Sequence, residues 1–425
     1  MATVTYLKAR QILDSRGTPT VEADMRLDTG DTCRASVPSG ASTGSYESIE
    51  LRDKDKNRFD GKGVLKAVEN INSLIAKEVK NKKFDSLNEF DSFLINLDGT
   101  ENKSRIGANA ILACSLAFLK CSAKNMDKEI YEFLNSSGTY ILPTPLMNII
   151  NGGAHANNGL DIQEFMIVPG GFDTFSESLR AGVETFMCLK KILQEKNYST
   201  AVGDEGGFAP DLKSNEEALD LISLSVKKAG YKLGEEIYLA LDVAASEIYN
   251  NKKYKIDGNL LNPEELIGYY KKLSKNYPII SIEDPIDEND WNSWTDLTSE
   301  IGDSLQIVGD DLFVTNETRL NEGIKNNAAN SILIKINQIG SISETLKTIN
   351  LAASNNYSYI VSHRSGETED SSISDIAVGT SSGQIKTGSC SRSDRTAKYN
   401  QLMRIEDSLG DNAEFAKLST FNKKL

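Results

Sequence analysis

The chain has 425 residues, of which 39% are hydrophobic and 25% are charged, as in an ordinary soluble protein. No apolar run approaches the roughly 20 residues of a membrane-spanning helix, and the first residues lack the basic and apolar regions of a secretory signal. The formal net charge of −14, without a long basic block, predicts no nucleic-acid partner and fits a cytoplasmic protein that uses cations.

Cysteine and histidine usage limits the kind of metal site that the chain can hold. The five cysteines are scattered, without a C-x-x-C pair, which predicts reduced thiols. The only histidines are His155 and His363, so a site with three or four histidine ligands is excluded. A bound metal would therefore have to be a hard cation held by oxygen atoms.

The first third of the chain is typical of a mixed α+β unit. Turn-forming residues and apolar spacing predict strands over residues 4–13 and 20–27 and helices over residues 64–78, 107–124 and 129–134. The best linker is residues 136–139, which precede the helix-stopping Pro143 and Pro145. We therefore predict one domain over residues 1–136 and a second over residues 137–425.

Six short apolar runs follow, and each ends in a polar residue able to take part in chemistry. These end residues are Asp242, Glu283, Asp310, Lys335, His363 and Lys386. After a longer first gap they recur about every 25 residues, the length of a strand, a helix and two loops. Strands buried on both faces, with chemistry at their carboxyl ends, are typical of a (β/α) barrel. A doubly wound open sheet is the alternative, and the lack of a G-x-G-x-x-G motif weakens its dinucleotide-binding form.

The strand ends divide into an anionic and a cationic group. In a barrel, Asp242, Glu283 and Asp310 would converge and repel one another unless a cation such as Mg²⁺ lay among them. The cationic group consists of Lys335, residues 363–365 and Lys386. Such a pair of groups suits a small substrate that carries phosphate or carboxylate. A lysine near Mg²⁺ and a second lysine would have a lowered pKa and could act as a base.

Glycine-rich segments precede these strands. Residues 37–44 include the hydroxyl of Ser42 and lack the lysine of a Walker motif, so they fit a mobile lid better than a phosphate loop. Residues 151–155 form a similar loop, and residues 202–208 hold Glu205 between glycines. Each of these signals is weak alone.

Together these segments resemble the enolase family, the 2-phosphoglycerate dehydratases of glycolysis, in its bacterial type. The resemblance runs from residues 9–17 to residues 398–406, nearly the whole chain. The motifs between them are residues 37–44, 106–112, 147–153, 163–166, 202–210, 241–247, 281–285, 306–312, 362–370 and 383–389. The resemblance implies an α/β fold in which a smaller N-terminal α+β capping domain precedes a modified eight-stranded (β/α) barrel, whose first turn runs ββαα.

The resemblance also implies a role for each site residue. Lys335 is expected to be the base that removes the α-proton, and Glu205 the acid that protonates the leaving hydroxide. Because hydroxide leaves poorly, the pKa of Glu205 is expected to be raised by Glu164 and by burial. Two Mg²⁺ ions are implied, and the second enters with substrate. The first is expected on Asp242, Glu283 and Asp310, and the second on Ser42. The expected substrate contacts are His155, Gln163, Glu164, His363, Arg364, Ser365 and Lys386.

The resemblance also bears on how the chain assembles and where it is located. The resemblance implies a homodimer, or a higher oligomer built from dimers, in which Arg10 faces Glu406 and Glu22 faces Arg404. It also implies a cytoplasmic protein that can be secreted or displayed on the cell surface without a signal peptide.

A racemase or sugar-acid dehydratase of the same superfamily is the enzymatic alternative, which the Ser42 lid disfavours. From another class, a plasminogen-binding surface protein is the alternative, with candidate lysines Lys252, Lys253, Lys255, Lys423 and Lys424.

Overall fold

The structure, a computed structural model, describes residues 2–41, 44–135 and 137–421. Ser42, the expected ligand of a second Mg²⁺, lies outside the described residues, as do Lys423 and Lys424. No helix within the described ranges is long and apolar enough to cross a membrane.

The first part of the chain is an antiparallel sheet covered by helices. Its elements are the strands β1 (Ala2–Leu13), β2 (Pro19–Leu27), β3 (Thr32–Ser36) and β4 (Lys83–Phe84), and the helices α1 (Leu65–Glu69), α2 (Ala76–Val79), α3 (Leu87–Asp98), α4 (Ala108–Asn125) and α5 (Ile130–Leu134). The strand order is β3-β2-β1-β4. Alternation along β2 turns Val21, Ala23 and Met25 inwards, where all three are fully buried. This face packs against α4, most of whose residues are also buried.

The predicted helix over residues 64–78 is helical but not regular. A π-helical turn over Asn70–Ile75 joins α1 to α2. Within this turn, the Asn72 side chain accepts a hydrogen bond from the Ala9 amide at 2.7 Å and donates one to the Ala9 carbonyl at 3.0 Å. The wider turn thus ties the helix to β1, a contact between distant residues that apolar spacing alone does not encode.

The second part of the chain holds the barrel. Its strands are β5 (Tyr140–Leu142), β6 (Thr144–Asn151), β7 (Glu164–Val168), β8 (Tyr238–Asp242), β9 (Tyr249–Asn250), β10 (Lys253–Ile256), β11 (Asn259–Leu261), β12 (Ile279–Glu283), β13 (Gln306–Gly309), β14 (Ser331–Ile334), β15 (Ser358–Ser362), β16 (Gln384–Lys386) and β17 (Ala413–Phe415). Its helices are α6 (Phe175–Glu195), α7 (Asn215–Lys228), α8 (Pro263–Asn276), α9 (Trp291–Ile301), α10 (Glu317–Asn326), α11 (Ile336–Ile339), α12 (Ile342–Ser354), α13 (Ser372–Gly379) and α14 (Ser393–Leu409).

Eight of these strands close into a barrel in the order β12-β13-β14-β15-β16-β6-β7-β8. β7 is antiparallel to both of its neighbours, and the other neighbouring pairs are parallel. Two helices, α6 and α7, connect β7 with β8, so the first turn runs ββαα. The predicted fold is therefore confirmed, including its irregular start.

The barrel interior is layered, because side chains two residues apart on a strand point the same way. At the strand starts, the amides of Gln306 and Gln384 exchange hydrogen bonds of 2.9 Å. Two residues after Gln306, Val308 belongs to an apolar layer that also contains Leu333 and Phe421. The next interior level along these strands carries the charged strand ends.

The N-terminal domain reaches the mouth of the barrel. Arg16 Nη1 donates to Ser365 Oγ at 3.2 Å, and the backbones of Ser39 and Gly366 exchange hydrogen bonds of 2.8 and 2.9 Å. Position 366 requires glycine, because a Cβ there would lie 2.4 Å from a carboxylate oxygen of Asp14. The first domain therefore supplies part of the wall around the strand ends.

Candidate active site

The predicted site residues gather around one cavity at the carboxyl ends of the parallel strands. Asp310, Lys335 and His363 each follow directly on a barrel strand, and β7 contributes its first residue, Glu164, because it runs the opposite way. The predicted residues that line the cavity are His155, Gln163, Glu164, Glu205, Asp242, Asp310, Lys335, His363, Arg364, Ser365 and Lys386. Glu283 joins them through its contact with Lys386.

The ammonium group of Lys386 bridges three carboxylates that the strand register brings side by side. Asp242 is paired with Glu283 on one neighbouring strand and with Glu164 on the other. Lys386 Nζ lies 2.9 Å from Asp242 Oδ2, 2.8 Å from Glu283 Oε2 and 3.2 Å from Glu164 Oε1. Burial lowers the pKa of Lys386, but these carboxylates outweigh it and hold the pKa well above its usual range. One cation facing three buried carboxylates leaves the cluster short of positive charge.

A second cluster surrounds Asp310. Its carboxylate pairs with the ammonium of Lys335 and accepts a hydrogen bond from Gln338 Nε2 at 2.9 Å. Asp284 fixes the loop after β13 by accepting the backbone amides of Asp310 and Asp311, each at 2.8 Å. Burial, with the charge of Asp310, raises the pKa of Asp311 to about 8. This side of the cavity also carries more acidic than basic groups.

A third cluster places two carboxylates beside the only two histidines of the chain. Asn148 Nδ2 donates to Glu205 Oε2 at 3.1 Å, and His363 Nε2 lies 3.6 Å from the same oxygen. His155 Nδ1 lies 3.7 Å from Glu205 Oε1 and 3.6 Å from Glu164 Oε1. The two carboxylates thus share one imidazole across the cavity.

The expected raised pKa of Glu205 is wrong for this structure. Burial raises the pKa of Glu205, but the cationic groups around it, Arg395 and Lys386 among them, outweigh burial, so the pKa lies well below its usual range. Burial, followed by the charge of Glu205, instead raises the pKa of Glu164 well above the ordinary value. The two facing carboxyl groups are therefore shifted in opposite directions.

The lowered pKa expected of Lys335 beside Mg²⁺ stays a prediction. Among the described residues, burial lowers the pKa of Lys335, but the carboxylate of Asp310 and, to a smaller extent, that of Glu283 raise it above its usual value, against the opposing charges of Arg364 and Lys386. The nearest charged group to Lys335 in this part of the chain is the carboxylate of Asp310.

Three important contacts of the cavity wall were missed by the sequence reasoning. Arg364, an expected substrate contact, holds both carboxylate oxygens of Glu47 at 3.1 Å and donates to Asn337 Oδ1 at 3.0 Å. Arg395 lies behind His363, and its side chain is fully buried. Glu47 lies just after the glycine-rich residues 37–44, so proximity in sequence was the one signal available for it. Nothing in the pattern around residue 395 pointed to the site.

The donor set fits a hard divalent cation. Glu164 Oε2 and Gln163 Oε1 are buried and find no hydrogen-bond partner among the described residues. Two groups, each with three ligand atoms within 4.8 Å of one another, could hold an ion. They are His155 with Glu164 and Glu205, and Asp284 with Asp310 and Asp311. Of the predicted Mg²⁺ ligands, Asp310 belongs to the second group. Asp242 and Glu283 are in neither group and are instead bridged by the ammonium group of Lys386. Carboxylates in this number favour an oxygen-bound cation such as Mg²⁺.

Comparison with known families agrees with this chemistry. Residues 4–134 match the model of the enolase N-terminal domain, and residues 139–424 match the model of the enolase C-terminal TIM barrel domain. The two matches follow each other along almost all of the chain, and enolases use Mg²⁺, a cation that suits the acidic cavity. The chain therefore belongs to the enolase family, whose members are hydro-lyases with phosphopyruvate hydratase activity.

Proposed function

We propose that Lys335 and Glu205 divide the proton transfers of the reversible dehydration of 2-phosphoglycerate to phosphoenolpyruvate. One observation carries this proposal: the two groups face one cavity from opposite walls. Lys335 follows β14, and Glu205 lies near Glu164 on β7, four strands further round the eight-stranded barrel. A substrate between them would present its α-proton to one wall and its leaving hydroxyl to the other.

The chemistry needs an amine and a carboxyl group in these places. Removal of a proton α to a carboxylate adds negative charge to a group that is already anionic, so a base must be aligned with the proton and cations must lie nearby. Departure of hydroxide needs a proton, which a carboxyl at Glu205 can deliver. An ammonium group at Lys335 and a carboxylate at Glu205 are the states from which the reverse reaction, hydration, begins.

The cofactor proposal is two Mg²⁺ ions, the second arriving with substrate. Asp242, Glu283 and Asp310 would hold the first, and Ser42 would contribute to the second. When bound, Mg²⁺ supplies positive charge that stabilises the anion that forms on the substrate. The support is the shortage of cations in the described cavity and the unpartnered oxygen of Glu164. Lys386 already provides one of the positive charges that the carboxylates require.

The remaining contacts are proposed to bind the substrate. Arg364 presents a planar, bidentate donor group, which suits a phosphate. The Arg364 guanidinium is paired with Glu47 in the structure, so a bound phosphate would take the place of the Glu47 carboxylate. Ser365, beside Arg16, and Gln163, His155 and His363 would complete the polar surroundings of the substrate.

Exchange of the α-proton with solvent tests the division of labour. Lys335→Ala should lose this exchange, and dehydration should fall by about 10³-fold, in the range of a general base. Glu205→Gln should keep the exchange and lose dehydration, because only the acid is changed. Loss of exchange in Glu205→Gln as complete as in Lys335→Ala would contradict the proposal. Gln306→Leu, at the other end of the barrel, is the control for a general effect of buried substitution.

Several broader properties are also proposals. The division at residue 136/137 is supported by the change from the capping sheet to the barrel, and the bacterial type and cytoplasmic location are supported by the sequence resemblance. A homodimer, or a dimer-based oligomer, is supported by the same resemblance.

A plasminogen-binding role after secretion or surface display is a separate proposal, and its support is that Lys252, Lys253 and Lys255 are exposed. Loss of plasminogen binding on their joint replacement by alanine, with activity retained, is the expected result.

A further inference from the structure

Arg395 connects the two loops that carry Glu205 and His363. It lies in α14, and its side chain is fully buried. Its guanidinium donates to the carbonyl of Asp204 at 3.0 Å and to the carbonyls of Arg364 and Ser365, each at 2.6 Å. It also contacts Nδ1 of His363. One side chain therefore holds the backbone on both sides of this part of the cavity.

The contact with Nδ1 determines where the imidazole carries its proton. A guanidinium has donors only, so Nδ1 of His363 must be the acceptor. A neutral ring that accepts at Nδ1 carries its hydrogen on Nε2. Burial lowers the pKa of His363 well below its usual range, and the charge of Arg395 lowers it further, against the opposing effect of Glu205. The ring is therefore neutral.

The hydrogen on Nε2 faces the cavity. Nε2 is buried and has no hydrogen-bond partner in the part of the chain that the structure describes. Its nearest carboxylate oxygen is Glu205 Oε2, at 3.6 Å, which is beyond a direct hydrogen bond. A water or a substrate oxygen between these groups would satisfy the donor.

We propose that Arg395 is a positioning residue that fixes His363 as the neutral Nε2–H tautomer, and so makes it a hydrogen-bond donor to a substrate oxygen. In this arrangement His363 does not exchange protons with the substrate. The proposal rests on the proposed function only in naming the oxygen as one of the substrate. The tautomer itself is a property of the free protein.

The two histidines of the chain make the tautomer measurable. In protein labelled with ¹⁵N-histidine, the nitrogen shifts of His363 should show a protonated Nε2 and an unprotonated Nδ1. They should stay unchanged as the pH falls through about 6.5, the ordinary histidine pKa. His155→Gln leaves a single histidine and so assigns the signals. A protonated Nδ1, or a ring that becomes an imidazolium near that pH, would overturn the proposal.

Arg395→Lys tests the positioning role. A single ammonium cannot reach all four acceptors, so His363 should show mixed tautomers and a pKa nearer the ordinary value. Activity should then gain a pH dependence in that range, which a purely structural loss would not produce. If the variant does not fold, the tautomer of the unaltered protein still decides. Dehydration by Glu205→Gln would contradict the proposed function and leave the tautomer result standing.

A separate observation concerns two thiols far from the cavity. Cys33 on β3 is paired in register with Met25, and Cys121 on α4 donates from Sγ to the Met25 carbonyl at 3.2 Å. The two thiols therefore lie against the same residue of β2. Burial raises the pKa of the Cys33 thiol, but the neighbouring Cys121 and the charges of Lys124 and Lys120 outweigh burial and lower the pKa to about 7.

Cys33 is also accessible. It is half-buried and lines a surface cleft with three lysines spaced four residues apart, Lys120, Lys124 and Lys128. Cys121 behind it is buried. A surface thiol of lowered pKa, with a second thiol against the same residue of β2, is the arrangement of a site that oxidises in two steps.

We propose that Cys33 and Cys121 are a modification site for hydroperoxides. The Cys33 thiolate attacks one peroxide oxygen, the O–O bond breaks, and a sulfenic acid and water form after protonation of the leaving oxygen. The sulfur of Cys121 then attacks the sulfur of Cys33. The S–O bond breaks, a second water leaves, and a disulfide remains. Two thiols and one hydrogen peroxide thus give one disulfide and two waters.

Mass spectrometry of the full chain treated with hydrogen peroxide tests this site. We expect a loss of two hydrogens, located in a peptide pair that joins Cys33 to Cys121 and is reversed by a thiol reductant. Cys121→Ser should stop at oxygen addition on Cys33. Before oxidation, Cys33 should be alkylated faster at neutral pH than Cys188, the half-buried control. Equal rates for these two thiols, or oxygen addition without a disulfide in the unaltered chain, would overturn the proposal.

Discussion

The two ends of the barrel interior both bury polar side chains, yet they do so in opposite ways. At the start of the strands, Gln306 Nε2 also donates to Ser281 Oγ at 3.0 Å, and its Oε1 accepts from Ser358 Oγ at 2.9 Å. Gln384 Nε2 further donates to the Thr420 carbonyl at 3.0 Å. Both amide side chains have their donors and acceptors used, and none of the groups is charged.

The mouth of the barrel differs in both the charge and the hydrogen bonding of its buried polar groups. Its groups are mostly ionic, its carboxylates outnumber its cations, and it contains buried atoms, such as Glu164 Oε2 and His363 Nε2, that have no partner among the described residues. A buried polar group that lacks a partner costs about 1–3 kcal/mol. The fully hydrogen-bonded glutamine cluster at the strand starts therefore stabilises the barrel. The ionic cluster at the mouth instead leaves donors and acceptors available for a ligand.

The sharpest way to test this contrast is to remove the central cation of the mouth. Lys386→Met leaves three buried carboxylates without their ammonium group, which should lower the free energy of unfolding by about 3–5 kcal/mol. Activity should fall by at least about 10²-fold, since a stabilising charge near the reacting anion is lost. Chemical denaturation and initial rates are the measurements.

Added Mg²⁺ provides the control for that experiment. A cation bound by the same carboxylates should restore part of the stability of Lys386→Met but little of its activity. A variant as stable as the unaltered chain without Mg²⁺ would show that the carboxylates need no cation.

Removal of one predicted ligand should have the next largest effect. Asp310→Asn keeps the size of the side chain but removes its charge, and should weaken Mg²⁺ binding by at least about 10-fold. Titration calorimetry measures this affinity, and chelation followed by Mg²⁺ addition should abolish and then restore the activity of the unaltered chain. Unchanged Mg²⁺ affinity in Asp310→Asn would remove this residue from the metal site.

A substitution in the glutamine cluster at the strand starts should change the stability of the protein and not its catalytic rate. Gln306→Leu leaves the Gln384 amide and the Ser281 and Ser358 hydroxyls with fewer partners, which should cost about 1–3 kcal/mol of unfolding free energy. The kcat of the folded protein should stay near that of the unaltered chain. A large fall in kcat at full folding would mean that the two ends are coupled, and the contrast between them would fail.

The smallest expected effect concerns a charged surface outside both clusters. Glu406, expected to face Arg10 of a partner, accepts the Phe175 and Ser176 amides of its own chain at 2.7 and 3.0 Å, so changing it would also leave the first two amides of α6 without this acceptor. Arg404 makes only a 3.4 Å hydrogen bond to Gln401 among the contacts described. It is therefore the better probe of the predicted interface.

We expect Arg404→Glu to place like charges opposite Glu22 and to weaken the dimer modestly, because charged pairs at a wet rim contribute about 0–1 kcal/mol. Sedimentation at micromolar concentration and low salt measures the effect. Arg404→Gln, which removes the charge without reversing it, is the matched control. Identical dimer fractions for all three proteins would show that the predicted pair is absent.

The sequence predicts the framework of the site better than its electrostatics. Continuous apolar runs identify the later barrel strands, because a strand buried on both faces has no polar side to show. The ββαα start came from the family resemblance alone, since its two strands and two helices break the repeat. The residues at the strand ends were found because the carboxyl ends of parallel strands meet at one mouth.

Contacts between distant residues could not be predicted in this way. The pairing of Arg364 with Glu47 joins positions far apart in the chain, and the position of Arg395 behind His363 depends on how α14 packs. The wrong direction for the pKa of Glu205 has the same origin. A pKa depends on the nearest charge, and the sequence does not say which charge is nearest.

The reversed strand β7 has a consequence for how this enzyme can vary. In a regular barrel each loop at the mouth joins a strand to a helix, so its length is limited by both. Here the reversal sends α6 up to the mouth and α7 back down, and Glu205 lies in the connection between two helices. Residues 202–208 of this connection are hydrogen-bonded to β6 and to Arg395, whereas residues 196–200 lie at the surface. The connection can therefore change length at residues 196–200 without shifting the register of a barrel strand.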